Sequence, residues 1–576
     1  MSADEPFTPP KKKPSIFWWI GGAVFVLAAL FIFQLFGPSP AIIVSRQTTF
    51  ITEPLRSNGL PDFNRHLLNV YRDGVTPENN AAALLWPALW PGELDPPQYA
   101  MVAKELGLST VPQKSDAAQF TYRYIRGMVN AEYTQIQSHT RGSSTAEAGN
   151  TDDNRLNEIE ARFDKLSDRI YGRPWTSREI PQMAKWVHDN QKPLDMMVEA
   201  SHRSRCYFPS PTLLENQNEP VTYILLPGQQ TAREAARSLV VRAMWNIGEH
   251  HNAEAWRDLL AIHRLGRLMA QGPLLIEQFV GFAMAGIGRD GTLQLLHEGN
   301  LSPEDARIVM RDLAALPSFS NVADMLDNSH RLFLIDNVIQ FSRKNMDARS
   351  MDQLKLSQPI RFANHLNVDW NVVLRKGNEY FDRYTKAARL PTYAARRQAL
   401  RQINKELAGA TMEPSTASLI ASAINPSERS KTVAAALVGA MMPAVDAAVY
   451  AQERTNANLE VLRLAAALAV YRADHKNYPD KLDDLVPTIL AKLPVDLFTA
   501  SPFKYKRIDD GYLLYSLGPN GIDNGGNSEN EGLYEGVSIS EMANGESVRT
   551  KIPAGSDDFA IRVPLPPIEV PPLPEH

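Results

Sequence analysis

A continuous apolar run near the start of the chain is the strongest constraint that the sequence places on the fold. Residues Ile16–Phe36 carry a single polar side chain, Gln34. At about 1.5 Å per residue, a helix of this run measures about 31 Å, which is one hydrocarbon thickness of a bilayer. Trp18 and Trp19 stand near one end, where aromatic rings favour the membrane interface. The sequence therefore predicts a transmembrane helix over residues 15–37.

Charges on either side of this run predict its orientation. Three lysines precede it within residues 1–14, whereas Arg46 is the only basic residue within about 15 residues after it. Because the side richer in lysine and arginine stays in the cytoplasm, we expect a cytoplasmic tail and a periplasmic bulk of the chain. The expected location is the inner membrane, with a single pass. A cleaved signal peptide is the alternative, which the length of the run and the lack of a clear A-x-A site disfavour.

A second apolar stretch lies far along the chain. Thr432–Val445 is rich in alanine and valine, but it spans only about 14 residues and contains Pro443. A stretch of this length is typical of a buried helix rather than of a membrane span. We therefore expect one span and not two.

Composition excludes several classes of protein. The chain has 576 residues with 60 basic and 65 acidic side chains, a balance that lacks the basic excess of a nucleic-acid binder. Its single cysteine, Cys206, excludes an intramolecular disulfide and a cysteine-based zinc or iron–sulfur site. The expected partners are the lipid bilayer and an unidentified envelope protein, with no nucleic acid.

Helical signals dominate the region beyond the apolar run. Ser302-Pro303 reads as a helix N-cap followed by a first-turn proline, and Ala235–Ile247 and Ala253–Met269 read as a helical hairpin. The small polar residues of 142–155 are typical of a linker. The predicted segments are a tail (1–14), the transmembrane helix (15–37), a first helical segment (45–141), the linker (142–155), a hairpin scaffold (156–440), a long helix with an α+β lobe (441–563) and a proline-rich tail (564–576).

The pattern changes towards the C-terminus. Asn458–Asp474 has the apolar spacing of an amphipathic helix. Phe503–Arg507 and Gly511–Ser516 read as two strands joined by a tight turn, and Phe559–Val563 reads as a third strand. A small α+β lobe is therefore expected after the helical scaffold.

An acidic window contains the second of these strands and continues well beyond it. Residues 508–548 hold eight acidic side chains and no lysine or arginine, and residues 518–532 are rich in glycine and asparagine. Such a loop can wrap oxygen ligands around Ca²⁺, which takes six to eight of them. The EF-hand spacing from Asp523 fails, because Ser528 replaces the required glycine and Tyr534 the final glutamate. A solvated acidic loop is the alternative.

The stretch from Leu462 to Gly526 resembles the globular half of the major pseudopilin of type II secretion systems. The shared motifs are Tyr471-Arg472-Ala473-Asp474, Asn477-Tyr478-Pro479, Pro494 with Asp496, and Tyr515-Ser516-Leu517-Gly518. The resemblance implies a small C-terminal α+β pseudopilin-like lobe on a mainly α chain. It also implies a calcium site whose ligands are the Leu517 carbonyl, the side chains of Asn520 and Asp523, and an acid from Asp557 or Asp558. The pseudopilin processing signal Gly-Phe-Thr-Leu-x-Glu is absent, so polymerisation as a pilin is not expected.

The exported region as a whole resembles a set of membrane-anchored proteins found in planctomycete-type bacteria. These proteins have no established activity. The motifs that carry this resemblance are Ile51–Leu55, Gly74–Ala81, Lys192–Asp195, Val198–Ala200, His263–Leu268 and Leu514–Gly521. The resemblance implies localisation and architecture rather than a reaction.

Catalytic motifs are weak in this sequence. Adjacent His250 and His251 would point about 100° apart on a helix and so cannot share a metal as an i, i+4 pair does. Cys206 with His202 could form a thiolate–imidazole pair, but a structural thiol is the stronger interpretation. No Gly-x-Ser-x-Gly, Walker or dinucleotide-binding motif occurs. We expect a non-catalytic scaffold for envelope binding or assembly; the alternatives are an exported enzyme and a pseudopilin-related secretion component.

Overall fold

The computed structural model describes residues 16–90, 94–140, 151–215, 220–224, 226–344, 361–411, 421–528 and 556–564. These residues form a mainly helical chain with a three-stranded antiparallel sheet, as the sequence predicts. The chain divides into two compact units. The small unit comprises Met1–Pro61, Arg331–Arg383 and Gln402–Pro443, and the large unit comprises Asp62–His330, Tyr384–Arg401 and Ala444–His576.

Helices account for most of both units. In chain order they are α1 (Ile16–Phe36), α2 (Phe63–Arg72), α3 (Ala82–Leu89), α4 (Pro96–Glu105), α5 (Thr121–Thr140), α6 (Thr151–Gly172), α7 (Pro181–Asp189), α8 (Gln191–Ala200), α9 (Pro211–Leu214), α10 (Gly228–Gly248), α11 (Asn252–Met269), α12 (Leu275–Glu298), α13 (Pro303–Ala315), α14 (Val322–Met325), α15 (Arg331–Ser342), α16 (Trp370–Ala388), α17 (Tyr393–Thr411) and α18 (Pro426–His475). The predicted linker lies partly outside the described residues, and its residues 151–155 open α6.

The antiparallel helices α10, α11 and α12 form the centre of the large unit. The predicted hairpin is confirmed, since α10 ends at Gly248 and α11 begins at Asn252. Two glycines allow α11 and α12 to approach closely, because a Cβ atom on Gly266 would lie 2.9 Å from the Gly281 carbonyl oxygen. The predicted N-cap of α13 is also present, with the Ser302 hydroxyl accepting from the Asp305 backbone amide at 3.1 Å.

The C-terminal sheet agrees with the predicted strands to within a residue. It consists of β1 (Lys504–Ile508), β2 (Gly511–Ser516) and β3 (Phe559–Val563), in the order β1-β2-β3. The sheet is fully antiparallel, with Lys504 opposite Tyr515 and Ser516 opposite Phe559. Buried residues of β2 and β3 belong to the same apolar cluster as those of α10, α11, α12 and α18. The lobe is therefore part of the large unit's core.

Polar contacts connect the segment after α1 to the other helices of the small unit. The Asn371 side chain accepts from the Ile43 backbone amide at 2.8 Å and donates to the Ala41 carbonyl at 2.9 Å. Arg331 is buried, lies 4.4 Å from the centre of the Phe50 ring and forms a 2.7 Å ion pair with Asp382. These contacts hold an otherwise irregular segment in place.

The longest helix, α18, has 50 residues and contains the second apolar stretch of the sequence. By length and composition it could cross a membrane, as α1 could. However, 57% of its most apolar window is buried by other parts of the protein, as expected for a core helix. The predicted amphipathic helix Asn458–Asp474 is its last third.

Candidate functional site

The predicted calcium loop begins where β2 ends. Gly518 adopts a left-handed conformation with φ of 62°, and a Cβ atom there would collide with the Asp557 backbone. An isolated bridge pairs Ser528 with Asp557, so both ends of the described loop adjoin the residues that precede β3. The fold thus brings the loop 517–528 to Asp557 and Asp558, as the resemblance implies.

Asp557 and Asp558 each bind backbone amides of this loop. An Asp557 carboxylate oxygen accepts from the Asn520 amide at 3.1 Å. Asp558 Oδ2 accepts from the amides of Asn524 at 2.9 Å and Gly526 at 2.8 Å. Asp558 is 1% exposed, and its Oδ1 is a buried atom without a hydrogen-bond partner among the described residues. Burial and the neighbouring Asp558 raise the pKa of Asp557 to about 6, and burial also raises the pKa of Asp558.

Asp523 is held differently from these two carboxylates. Its Oδ1 accepts from the Tyr515 hydroxyl at 2.9 Å and from the Gly525 amide at 3.1 Å. Its Oδ2 lies 3.5 Å from Lys504 Nζ. These contacts, led by the Gly525 amide, lower the pKa of Asp523. Its charge is therefore already partnered by protein groups.

Asp496 is an anchor of the loop that was not predicted as a site residue. It is fully buried, and its carboxylate accepts from the Ser516 hydroxyl and from the Leu517 amide, each at 3.0 Å. These bonds fix the backbone from which the predicted Leu517 ligand would project. Asn520, another predicted ligand, uses its side-chain oxygen to accept from the Ile522 amide at 2.6 Å.

The predicted ligands Leu517, Asn520 and Asp523 therefore lie in a loop beside Asp557 and Asp558. The four side chains among these five residues accept hydrogen bonds from protein donors. Within the ranges that the structure describes, no three or more His, Cys, Asp or Glu side chains converge closely enough to hold a metal ion. The arrangement can hold the loop backbone through its carboxylates. Within the part of the loop that the structure describes, one buried carboxylate oxygen, Asp558 Oδ1, has no hydrogen-bond partner.

A separate apolar pocket lies within the large unit, between α11, α12 and α18. Its volume is about 280 Å³. Aromatic side chains form much of the wall, and Phe282 packs edge-on against Phe319 with ring centres 5.3 Å apart. The described lining also contains three arginines, Arg267, Arg289 and Arg454, but no aspartate or glutamate. The pocket is therefore apolar and positively charged.

Arg267 is the most buried of these arginines, at 6% exposure. Its Nε donates to the Pro317 carbonyl at 2.6 Å and its Nη1 to the His263 carbonyl at 2.8 Å. Burial and nearby Arg463 lower the pKa of Arg267 to about 10, which leaves it charged at neutral pH. Among the described side chains, no carboxylate forms an ion pair with it. Arg267 belongs to the sequence motif His263–Leu268, but the sequence did not predict a pocket there.

His263 contributes to the same pocket as a neutral side chain. Its Nε2 lies 3.1 Å from the Thr292 hydroxyl. Burial, with a further effect of Arg267, lowers the pKa of His263 to about 3. The charge of the pocket wall at neutral pH therefore comes from arginine.

The weaker catalytic hypotheses gain no supporting geometry. Cys206 lies in a non-helical segment, and burial raises the pKa of its thiol, which opposes thiolate formation. The ring of His202 faces Arg264, 3.4 Å away. His250 occupies the turn after α10 with φ of 62°, and both His250 and His251 are exposed, as expected for turn residues.

Comparison of the chain with protein-family models, with curated proteins and with solved structures found no match.

Proposed function

We propose that the protein is a single-pass inner-membrane protein that exposes a non-catalytic helical scaffold to the periplasm for envelope binding or assembly. The observation that carries this proposal is the exposure of α1. Large apolar side chains point outward all around the helix, with Phe25 74% and Phe33 64% exposed. Such a surface is unfavourable in water and favourable in the hydrocarbon of a bilayer.

The orientation rests on charge. The lysines of residues 1–14 precede α1, and Arg46 is the nearest basic residue after it. The positive-inside rule then puts the N-terminus in the cytoplasm and the helical units outside it.

Binding rather than catalysis is supported by the chemistry of the large-unit pocket. Its charged groups are guanidiniums, which hold anions but do not exchange protons at neutral pH. His263, the nearest candidate for a general base, is buried and hydrogen-bonded to Thr292. Defined turnover by the purified full-length protein, abolished by one side-chain change, would overturn the proposal in favour of an exported enzyme.

A pseudopilin-like origin for the lobe is a second part of the proposal. It is supported by the chain order of a long helix, the β1–β2 hairpin and a glycine-rich loop. Pseudopilins bundle through an accessible helix, whereas Leu462, Ala466 and Leu468 of α18 are fully buried in the core. This burial favours a stationary lobe over a polymerising secretion component.

We also propose that Ca²⁺ binds the loop 517–528. The candidate ligand atoms are all oxygens, which suits this ion, and Asp558 Oδ1 has no hydrogen-bond partner among the described residues. Calcium that binds only the folded state should stabilise it by about 2.7 kcal/mol at a hundredfold excess over Kd. The measurement is the thermal unfolding of the full chain with Ca²⁺ or Mg²⁺.

The variant Asp558→Asn should lose this calcium response. Asp509→Asn, an exposed change in the turn between β1 and β2, should keep it. An unfolding midpoint that millimolar calcium leaves unchanged in the wild-type protein would remove the site.

Crosslinking in intact cells tests the binding role. The lobe exposes apolar side chains, with Val495 50% and Ile522 61% exposed. A photoreactive amino acid at these two positions should trap an envelope protein, because exposed apolar groups commonly mark contact surfaces. The same amino acid at buried Leu514 is the control. Crosslinks that arise equally from all three positions, or from none, would contradict a binding scaffold.

A further inference from the structure

The pocket between α11, α12 and α18 combines an apolar wall with the buried guanidinium of Arg267, which forms no ion pair with a described carboxylate. From this combination, we infer that it binds a medium-chain amphiphile with one anionic head group, such as a fatty-acid carboxylate. The inference goes beyond the proposed scaffold function, because it assigns a small-molecule ligand to residues that neither the membrane anchor nor the acidic loop includes.

The first argument is size. The cavity measures about 280 Å³. An apolar cavity of about 150 Å³ holds one benzene ring, so a cavity of this size suits roughly ten to twelve carbon atoms. Phe279, Phe282 and Leu459 contribute apolar surface that would contact such a chain. This length matches a medium-chain acyl group better than a long lipid tail.

The second argument is charge. Three guanidiniums and no carboxylate face the pocket within its described lining. Arg289 forms an ion pair with neighbouring Asp290, with a distance of 2.8 Å. Among the described residues, Arg267 instead donates to two backbone carbonyls, and it packs 4.7 Å from the centre of the Phe319 ring. A buried cation without a carboxylate is costly, and an arriving anion would remove much of that cost.

The third argument is that the lining offers a further hydrogen-bond donor for a carboxylate. The Asn458 side chain of α18 lines the same cavity as Arg454, whereas the Thr455 hydroxyl there already donates to the Ala451 carbonyl at 2.8 Å. An arginine with a nearby amide group is a common setting for carboxylate recognition, since the planar guanidinium can donate two parallel bonds. These groups would fix the head group while the aromatic wall contacts the chain.

Gly286 gives a way to close the pocket without changing its charge. It lines the cavity in the middle of α12, and a Cβ atom added there meets nothing within 4 Å. Gly286→Trp should fill the space that the acyl chain would occupy. Gly286→Ala adds a single methyl group and is the matched control. Gly286→Met adds a smaller side chain to the cavity and replaces Gly286→Trp in the test if Gly286→Trp impairs folding.

The test is photolabelling of the full chain in lipid nanodiscs. The probe is dodecanoate with a diazirine at the end of its chain, and labelled peptides are identified by mass spectrometry. We expect labelling in α12 and α18 that unlabelled dodecanoate competes away. Gly286→Ala should retain it, and Gly286→Trp should abolish it. The thermal unfolding midpoint of each variant shows whether it is folded.

A second arm tests the head group. The matched probe with an alcohol in place of the carboxylate should label about tenfold less, and Arg267→Met should reduce dodecanoate labelling about tenfold. Equal labelling by both probes would overturn the anionic assignment. Labelling that folded Gly286→Trp or Gly286→Met leaves unchanged would overturn the pocket itself. Neither outcome depends on the membrane orientation of the chain.

Discussion

Helices α1 and α18 are both long and apolar enough to cross a membrane, but the protein surrounds them differently. None of the apolar window of α1 is buried by other residues, whereas 57% of that of α18 is. Leu27 of α1 is 65% exposed, while Leu468 of α18 is fully buried. Hydropathy alone treats the two helices alike, so the burial of each helix distinguishes the proposed lipid-facing segment from a core segment.

The largest expected effect comes from charges in α1. Val24→Arg with Leu27→Arg should release the chain from the membrane fraction, because each arginine near the centre of a span costs about 3 kcal/mol. Val70→Arg with Val111→Arg adds the same charge at exposed positions of the large unit and should leave the protein in the membrane. Membrane fractionation measures both. Retention of the α1 variant in membranes would show that something other than this helix attaches the chain.

A matched leucine pair should give the next largest effect. Leu468→Ala removes a fully buried side chain and should lower the free energy of unfolding by about 2–5 kcal/mol. Leu27→Ala is the same chemical change on the exposed surface of α1 and should leave the urea midpoint of the folded units unchanged. Equal shifts for the two variants would mean that α1 is packed into the protein core after all.

The third expected effect concerns a buried carboxylate of the large unit. Burial raises the pKa of Glu277 to about 7, although it accepts hydrogen bonds from the Tyr71 hydroxyl at 2.9 Å and the Leu274 amide at 3.0 Å. The folded state therefore holds a proton more tightly than the unfolded chain does. This contribution to stability is complete below about pH 4.5 and is lost as the pH rises through 7.

Glu277→Gln should remove that pH dependence and raise stability above pH 8, by up to about 3 kcal/mol. The exposed Glu254→Gln on α11 is the control and should leave the profile as in the wild type. Urea midpoints between pH 5 and 9 provide the measurement. If the urea midpoint of Glu277→Gln depends on pH as that of the wild type does, the pH dependence comes from other groups.

Local patterns were sufficient to predict much of the fold. The strands β1 and β2 were predicted because an Asp-Asp turn separates the alternating segment Phe503–Arg507 from the largely apolar segment Gly511–Ser516. That turn is present, with Asp509 at φ of 43°. The α10–α11 hairpin was predicted because a polar turn interrupts two periodic segments. Such features depend on neighbours within a few residues, which a single sequence displays directly.

The sites depend on contacts that are distant in sequence. The pairing of Asn520 with Asp557 joins residues 37 positions apart and follows from β3 returning beside β2. The resemblance suggested these residues, but not that backbone amides would occupy their oxygens. The arginine-lined pocket was not predicted, because its wall is assembled from three helices and α18 is far from the other two in sequence. Its one local signal is His263 and Arg267, four residues apart on the buried side of α11.

The most direct test of the proposed membrane anchor is a pair of reporters fused after His576 in the producing cell. Alkaline phosphatase is active only outside the cytoplasm, and an export-incompatible green fluorescent protein is bright only inside it. With α1 as a single span and the lysine-rich end in the cytoplasm, the phosphatase fusion should be active and the fluorescent fusion dark. A bright fluorescent fusion with an inactive phosphatase would place the helical units in the cytoplasm and contradict the envelope role.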